Sequence, residues 1–132
     1  MDKQCEFEGK KVLIADDVSL NRYMAERIII GNGGNTVSVK NGKAALDAFV
    51  SSAPGEYSMI LMDVKMPIMD GLEATTLIRE SDHQNAKDIP IIALTAEISN
   101  TDRQTCLDRG MNNYLAKPYS ADQLISMIRM YL

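Results

Sequence analysis

The chain has no tryptophan, two phenylalanines, one histidine and two cysteines among its 132 residues. Two cysteines, Cys5 and Cys106, without CxxC spacing are too few for a disulfide scaffold and read as reduced thiols, one or both buried. His83, the single histidine, has no partner at metal-ligand spacing and stands in the polar stretch 81–88, so it reads as a solvated loop residue. No run approaches the ~18 apolar residues of a membrane helix. The start, Met1 to Glu6, lacks the apolar stretch of a signal peptide. A soluble, cytoplasmic protein is expected. Strong charge of one sign is also missing: 14 Lys/Arg against 18 Asp/Glu leave −4, which argues against binding nucleic acid through phosphate contacts. No linker, repeat or low-complexity stretch divides the chain. Its length suits one domain, 1–132, with a core from about 11 and residues 1–10 as an N-terminal extension.

What is present is alternation. A continuous apolar run occurs at Val12–Ala15, a weaker one at Thr36–Val39, and further ones at Tyr57–Met62, Ile89–Leu94 and Asn113–Ala116. Apolar runs of this length suit strands buried on both faces, as in a parallel sheet. Segments with helical spacing lie between them. Leu20, Met24 and Ile28 recur every four residues after Ser19, a plausible N-cap, and the glycine cluster after Gly31 ends that helix. Asn41 caps a second helix with Ala45 and Phe49 inward, and Asp70-Gly71 opens a third. A polar fourth helix, about 101–109, has Leu107 as its clearest core residue; Ser120 caps the fifth, with Leu124, Ile128 and Tyr131. Five βα units predict an α/β fold with helices on both faces of a parallel sheet.

Ligands of such sheets bind at the carboxyl ends of the strands. Those ends carry Asp16-Asp17, Asp63, Thr95 and Lys117. Three converging carboxylates repel one another, and one lysine with one divalent cation cancels their charge. Hard oxygen donors without a His or Cys pair favour Mg²⁺ (or Mn²⁺) over zinc or copper. A carboxylate is itself a nucleophile toward phosphorus. With Lys117 and the Thr95 hydroxyl to stabilise phosphoryl oxygens, the set reads as a phosphoryl acceptor site.

Asp16-Asp17, the stretch Met62-Asp63-Val64-Lys65-Met66-Pro67-Ile68-Met69-Asp70-Gly71, Thr95-Ala96 and Lys117-Pro118 together resemble the receiver domain of two-component response regulators, over about Lys11 to Leu132. The resemblance implies a flavodoxin-like (βα)5 sandwich with sheet order 2-1-3-4-5. It implies that Asp63 takes a phosphoryl group from a phosphohistidine on a histidine kinase or histidine phosphotransfer domain. Asp17, Asp63 and the Lys65 backbone carbonyl would ligate Mg²⁺, and Asp16 would act mainly through a water. Thr95 and Tyr114 would be switch residues, Lys117 would pair with the phosphoryl group, and Lys117-Pro118 would be a cis peptide. The module would catalyse its own phosphorylation and dephosphorylation, with no output domain following the fifth helix. It would serve as a stand-alone regulator or as the receiver of a hybrid kinase. A downstream protein or second copy would use the face made by the fourth helix, fifth strand and fifth helix.

Some residues are left to finer expectations. Lys65 and Glu97 lie two after Asp63 and Thr95, where an ion pair would shield the phosphorus and tune its lifetime. Met66, Met69 and Met111 sit in loops, where exposed thioethers would suit an adaptable contact face. Many hybrid-kinase receivers have Asn after the acidic pair; this chain has Val18, which affects docking of a partner and not metal binding. The competing class is a haloacid-dehalogenase-like phosphohydrolase with an aspartyl nucleophile. It usually needs a second Asp two residues on, where this chain has Lys65, and a cap insertion for which there is no room. A phosphorylation-dead binding module would lack Asp63, Thr95 or Lys117, and all three are present.

Overall fold

The computed structural model describes residues 6–96 and 100–132; Cys5 and Glu97 lie outside them. Its strands are β1 (Lys11–Ala15), β2 (Asn35–Val39), β3 (Met59–Asp63), β4 (Ile91–Thr95) and β5 (Asn113–Ala116). They alternate with helices α1 (Ser19–Gly31), α2 (Gly42–Val50), α3 (Gly71–Glu80), α4 (Asn100–Asp108) and α5 (Ala121–Tyr131). All strand pairs are parallel, in the order β2-β1-β3-β4-β5. This is the expected flavodoxin-like topology.

Successive strand residues point to opposite faces, and each face has its own core. Leu13, Ala15, Ile60, Met62, Ile91 and Ala93 pack with Ala45, Phe49, Ala74 and Ile78 from α2 and α3. Val12, Ile14, Met59, Leu61, Ile92 and Leu94 pack on the other side with Ala25, Ile29, Leu124 and Ile128 from α1 and α5. The runs of β1, β3 and β4 are therefore apolar without alternation because both their faces are covered, whereas the edge strands β2 and β5 are only partly buried. β3 is central and every residue in it is buried, including its last, Asp63. Among the described helix starts, three carry side-chain caps: Asn41 accepts from Ala44 N–H, Asp70 from Glu73 N–H, and Ser120 forms a capping box with Gln123.

Several expectations fail at residue level. In α1 the buried residues are Ala25 and Ile29, whereas Leu20 and Met24 are exposed. The helix is rotated by about one position from the stripe of larger side chains, with small Ala25 together with Ile29 buried in the core. Ser19 is not the cap; Val18 is, without a side-chain hydrogen bond. In α4, Cys106 is buried and its neighbour Leu107 is exposed. Met111 is buried, and Met66 and Met69 are half-buried against the core rather than fully exposed. His83 is half-buried: its ring lies 4.3 Å from that of Phe49, its Nδ1 accepts from Asn85 N–H and its Nε2 meets the Ser52 carbonyl at 3.0 Å. The supposed extension supplies a core residue as well, since Phe7 is buried against α1 and α5 and its N–H donates to the Asn32 carbonyl.

Candidate functional site

Strand register brings the site together. Ala15 is level with Met62, so Asp16 emerges beside Asp63; Thr95 is level with Ala116, so Lys117 emerges one step beyond. Asp16, Asp17 and Asp63 each offer a carboxylate oxygen, and these oxygens all lie within 4.8 Å of one another. Lys117 Nζ stands 3.0 Å from Asp63 Oδ2 and 3.4 Å from Asp16 Oδ2. The same cavity, about 550 Å³, is lined by Asp17, Asp63, Lys65, Thr95 and Lys117 and extends to Cys106 and Tyr114.

The electrostatics follow from this crowding. Burial pushes the Asp63 carboxyl above the ordinary range; the Lys117 hydrogen bond and charge pull it back, and Asp16 pushes it up again, leaving it raised. Burial works against the Lys117 ammonium, but the hydrogen bond to Asp63 and the two carboxylate charges prevail and raise it. Three carboxylates and one ammonium leave net negative charge, and the donors are hard oxygens without imidazole or thiolate. That set fits Mg²⁺.

Asp16 is the most constrained of the three. It is 1% exposed; its Oδ1 accepts from Val18 N–H, its backbone N–H donates to the Val39 carbonyl, and its carbonyl accepts from Arg22 Nη1 at 2.7 Å. Asp17 is exposed. Lys65 is exposed too, and its N–H donates to Asp63 Oδ1 at 3.3 Å. Its expected partner, Glu97, is outside the described residues. Tyr114 is half-buried on β5, with the Arg103 guanidinium 4.9 Å from its ring centroid. Lys117-Pro118 is a cis peptide.

Two contributors were not foreseen. Arg22, one turn into the helix that follows the acidic pair, grips the carbonyl of Asp16, a contact that its place in the sequence does not announce. Tyr119 is pushed up to about 12 by burial and by the charge of Asp16, which places a neutral phenol beside the cluster. Cys106 reaches the cavity wall, where burial, then Asp102, raises its thiol and keeps it protonated.

The chain belongs to the response regulator receiver domain family, whose model matches residues 12–129. It is 37% identical over 121 residues to hybrid signal transduction histidine kinase I of Dictyostelium discoideum, covering 90% of this chain and 7% of that protein. The chain thus spans a small fraction of that relative's length. Among solved structures it resembles the receiver domain of sensor histidine kinase PA1611 from Pseudomonas aeruginosa PAO1, crystallised with magnesium in its active-site cleft. The TM-score is 0.83 at 34% identity, over 93% of this chain and 97% of that one. It also resembles a chain from the Saccharomyces cerevisiae complex of histidine phosphotransfer protein Ypd1 with the receiver domain of Ssk1. There the TM-score is 0.84 at 29% identity, over 95% and 90% of the two chains. The protein is a receiver domain of two-component signalling, and no helix among its described residues is long and apolar enough to cross a membrane.

Proposed function

We propose that Asp63 accepts a phosphoryl group from a phosphohistidine and that the charge thereby fixed at the strand ends switches or relays a signal. The observation that carries this reading is the meeting of three carboxylate oxygens within 4.8 Å, with Lys117 Nζ 3.0 Å from Asp63 Oδ2. An Asp63 oxygen attacks phosphorus and forms a P–O bond. The P–N bond breaks, and its electron pair stays on the ring nitrogen, which leaves as neutral imidazole when the other ring nitrogen carries a proton. Lys117 and the Thr95 hydroxyl stabilise the phosphoryl oxygens. Asp17, Asp63 and the Lys65 carbonyl would hold Mg²⁺, and Asp16 would support it. When bound, the ion offsets negative charge on the carboxylates and on the incoming phosphoryl group. Attack by water on the same phosphorus returns the Asp63 carboxylate and inorganic phosphate.

Thr95 and Tyr114 line one cavity and serve as the switch pair. The exposed Leu20, Tyr23 and Met24 of α1, with Val18 next to the acidic pair, form an apolar surface beside the site for a histidine-bearing partner. The receiver crystallised with Ypd1 supports a partner of that kind. The module works on the cytoplasmic side, as one domain whose core begins near Phe7. Its test is transfer from a phosphorylated histidine phosphotransfer domain. Label should move to the wild-type chain and not to Asp63→Asn; label on the Asn variant would overturn the assignment.

A further inference from the structure

We propose that Gly42, which lies outside the acidic cluster, is a positioning residue for Asp63: the first turn of α2 is the seat for the loop 64–70. The inference rests on the phosphoacceptor reading and extends it to a residue with no chemical group of its own. Gly42 N–H donates to the Met69 carbonyl at 2.8 Å. A Cβ on Gly42 would meet that oxygen at 2.4 Å and the Asp70 oxygen at 2.8 Å, so the loop backbone rests directly on the helix backbone. Gly42 is absent from the residues at positive φ, so space and not backbone conformation demands glycine here. At its other end the loop is pinned by Gly71, whose N–H donates to the Val64 carbonyl at 2.9 Å.

Between these pins the loop has little slack. Met69 N–H closes on the Pro67 carbonyl at 2.7 Å around Ile68, which is held at φ 71°. The seat itself is firm, because Ala45 and Phe49 anchor α2 in the core whether or not its first turn is capped. Displacement of Met69 therefore travels along the loop to Lys65, whose N–H donates to Asp63 Oδ1. The carboxylate is aimed partly by a glycine on a different helix.

The test compares wild type, Gly42→Ala and Asn41→Ala for phosphorylation by acetyl phosphate, Mg²⁺ affinity by amide resonances, and unfolding in urea. Gly42→Ala should slow phosphorylation about tenfold or more and weaken Mg²⁺ binding, because small misplacements of reacting groups carry penalties of that size. Asn41→Ala disturbs the same helix start without filling the seat, so it should lose stability while keeping the wild-type rate and Mg²⁺ affinity. Wild-type rate and affinity in folded Gly42→Ala would overturn the proposal, as would equal slowing in Asn41→Ala. If Gly42→Ala does not fold, the wild-type Gly42 amide decides: it should shift with that of Lys65 across one Mg²⁺ titration, and a silent Gly42 amide refutes the seat. A wild-type chain that takes no phosphoryl group would instead count against the phosphoacceptor reading, and the Mg²⁺ comparison would still judge Gly42.

Discussion

Replacing Asp63 with Asn should stabilise the metal-free fold. The carboxyl is 5% exposed, 3.0 Å from Lys117 Nζ and no more than 4.8 Å from the Asp16 ligand oxygen. At an effective dielectric of about 20, the attraction is worth about 5.5 kcal/mol and the repulsion costs about 3.5 kcal/mol or more. The remaining margin, at most about 2 kcal/mol, is smaller than the several kcal/mol needed to bury a carboxylate. Asn keeps the shape and removes the charge, and Lys117 retains Asp16 at 3.4 Å. Asp63→Asn should therefore be about 1–2 kcal/mol more stable at neutral pH in EDTA, by urea unfolding followed by circular dichroism. The pH dependence has a definite sign. With the folded-state pKa of Asp63 raised, the folded chain binds more protons than the unfolded one between the ordinary carboxylate value and the raised value. Wild-type stability should thus rise as pH falls through that window, a component the Asn variant lacks. Mg²⁺ at about a hundred times its Kd adds about 2.7 kcal/mol to a binding-competent fold. The variant, lacking one ligand, should gain less. An Asn variant less stable than wild type in EDTA, or one gaining equally from Mg²⁺, would refute this reasoning.

Two further substitutions probe the loop after β3. A Cβ at Gly71 would lie 2.1 Å from the Asp63 carbonyl oxygen, so Gly71→Ala should lose at least about 2 kcal/mol in urea unfolding. Ile68 holds φ 71° while 82% exposed, a strained conformation without compensating packing. Ile68→Asn should therefore gain about 0.5–1 kcal/mol, read as a higher urea midpoint.

The fold was legible because both sheet faces are covered, which leaves the three central strands as short apolar runs, and their alternation with helical segments points to a parallel sheet. The candidate site was legible for a related reason: each polar residue that stops a run lies at a strand's carboxyl end, and register aligns those ends. Side-chain size misled the reading of helix faces. In α1, Leu20 and Met24 outweigh Ala25 in hydropathy, yet Ala25 is the one that fits against the sheet. In α4, Cys106 and Leu107 differ by one position, and only packing chooses the smaller thiol. Phe7 was hidden in a polar stretch, since one aromatic among charged residues shows no periodicity. His83 and Arg22 act through backbone carbonyls of distant or preceding residues, and contacts of that kind leave no pattern in a sequence.

The central claim is most directly tested by intact-protein mass after incubation with acetyl phosphate, with and without Mg²⁺, beside Asp63→Asn. The account predicts one added phosphoryl group on the wild-type chain, dependent on both Mg²⁺ and Asp63. A phosphoryl adduct that persists in Asp63→Asn would contradict it, as would a wild-type chain that accepts nothing from acetyl phosphate or from a phosphohistidine donor.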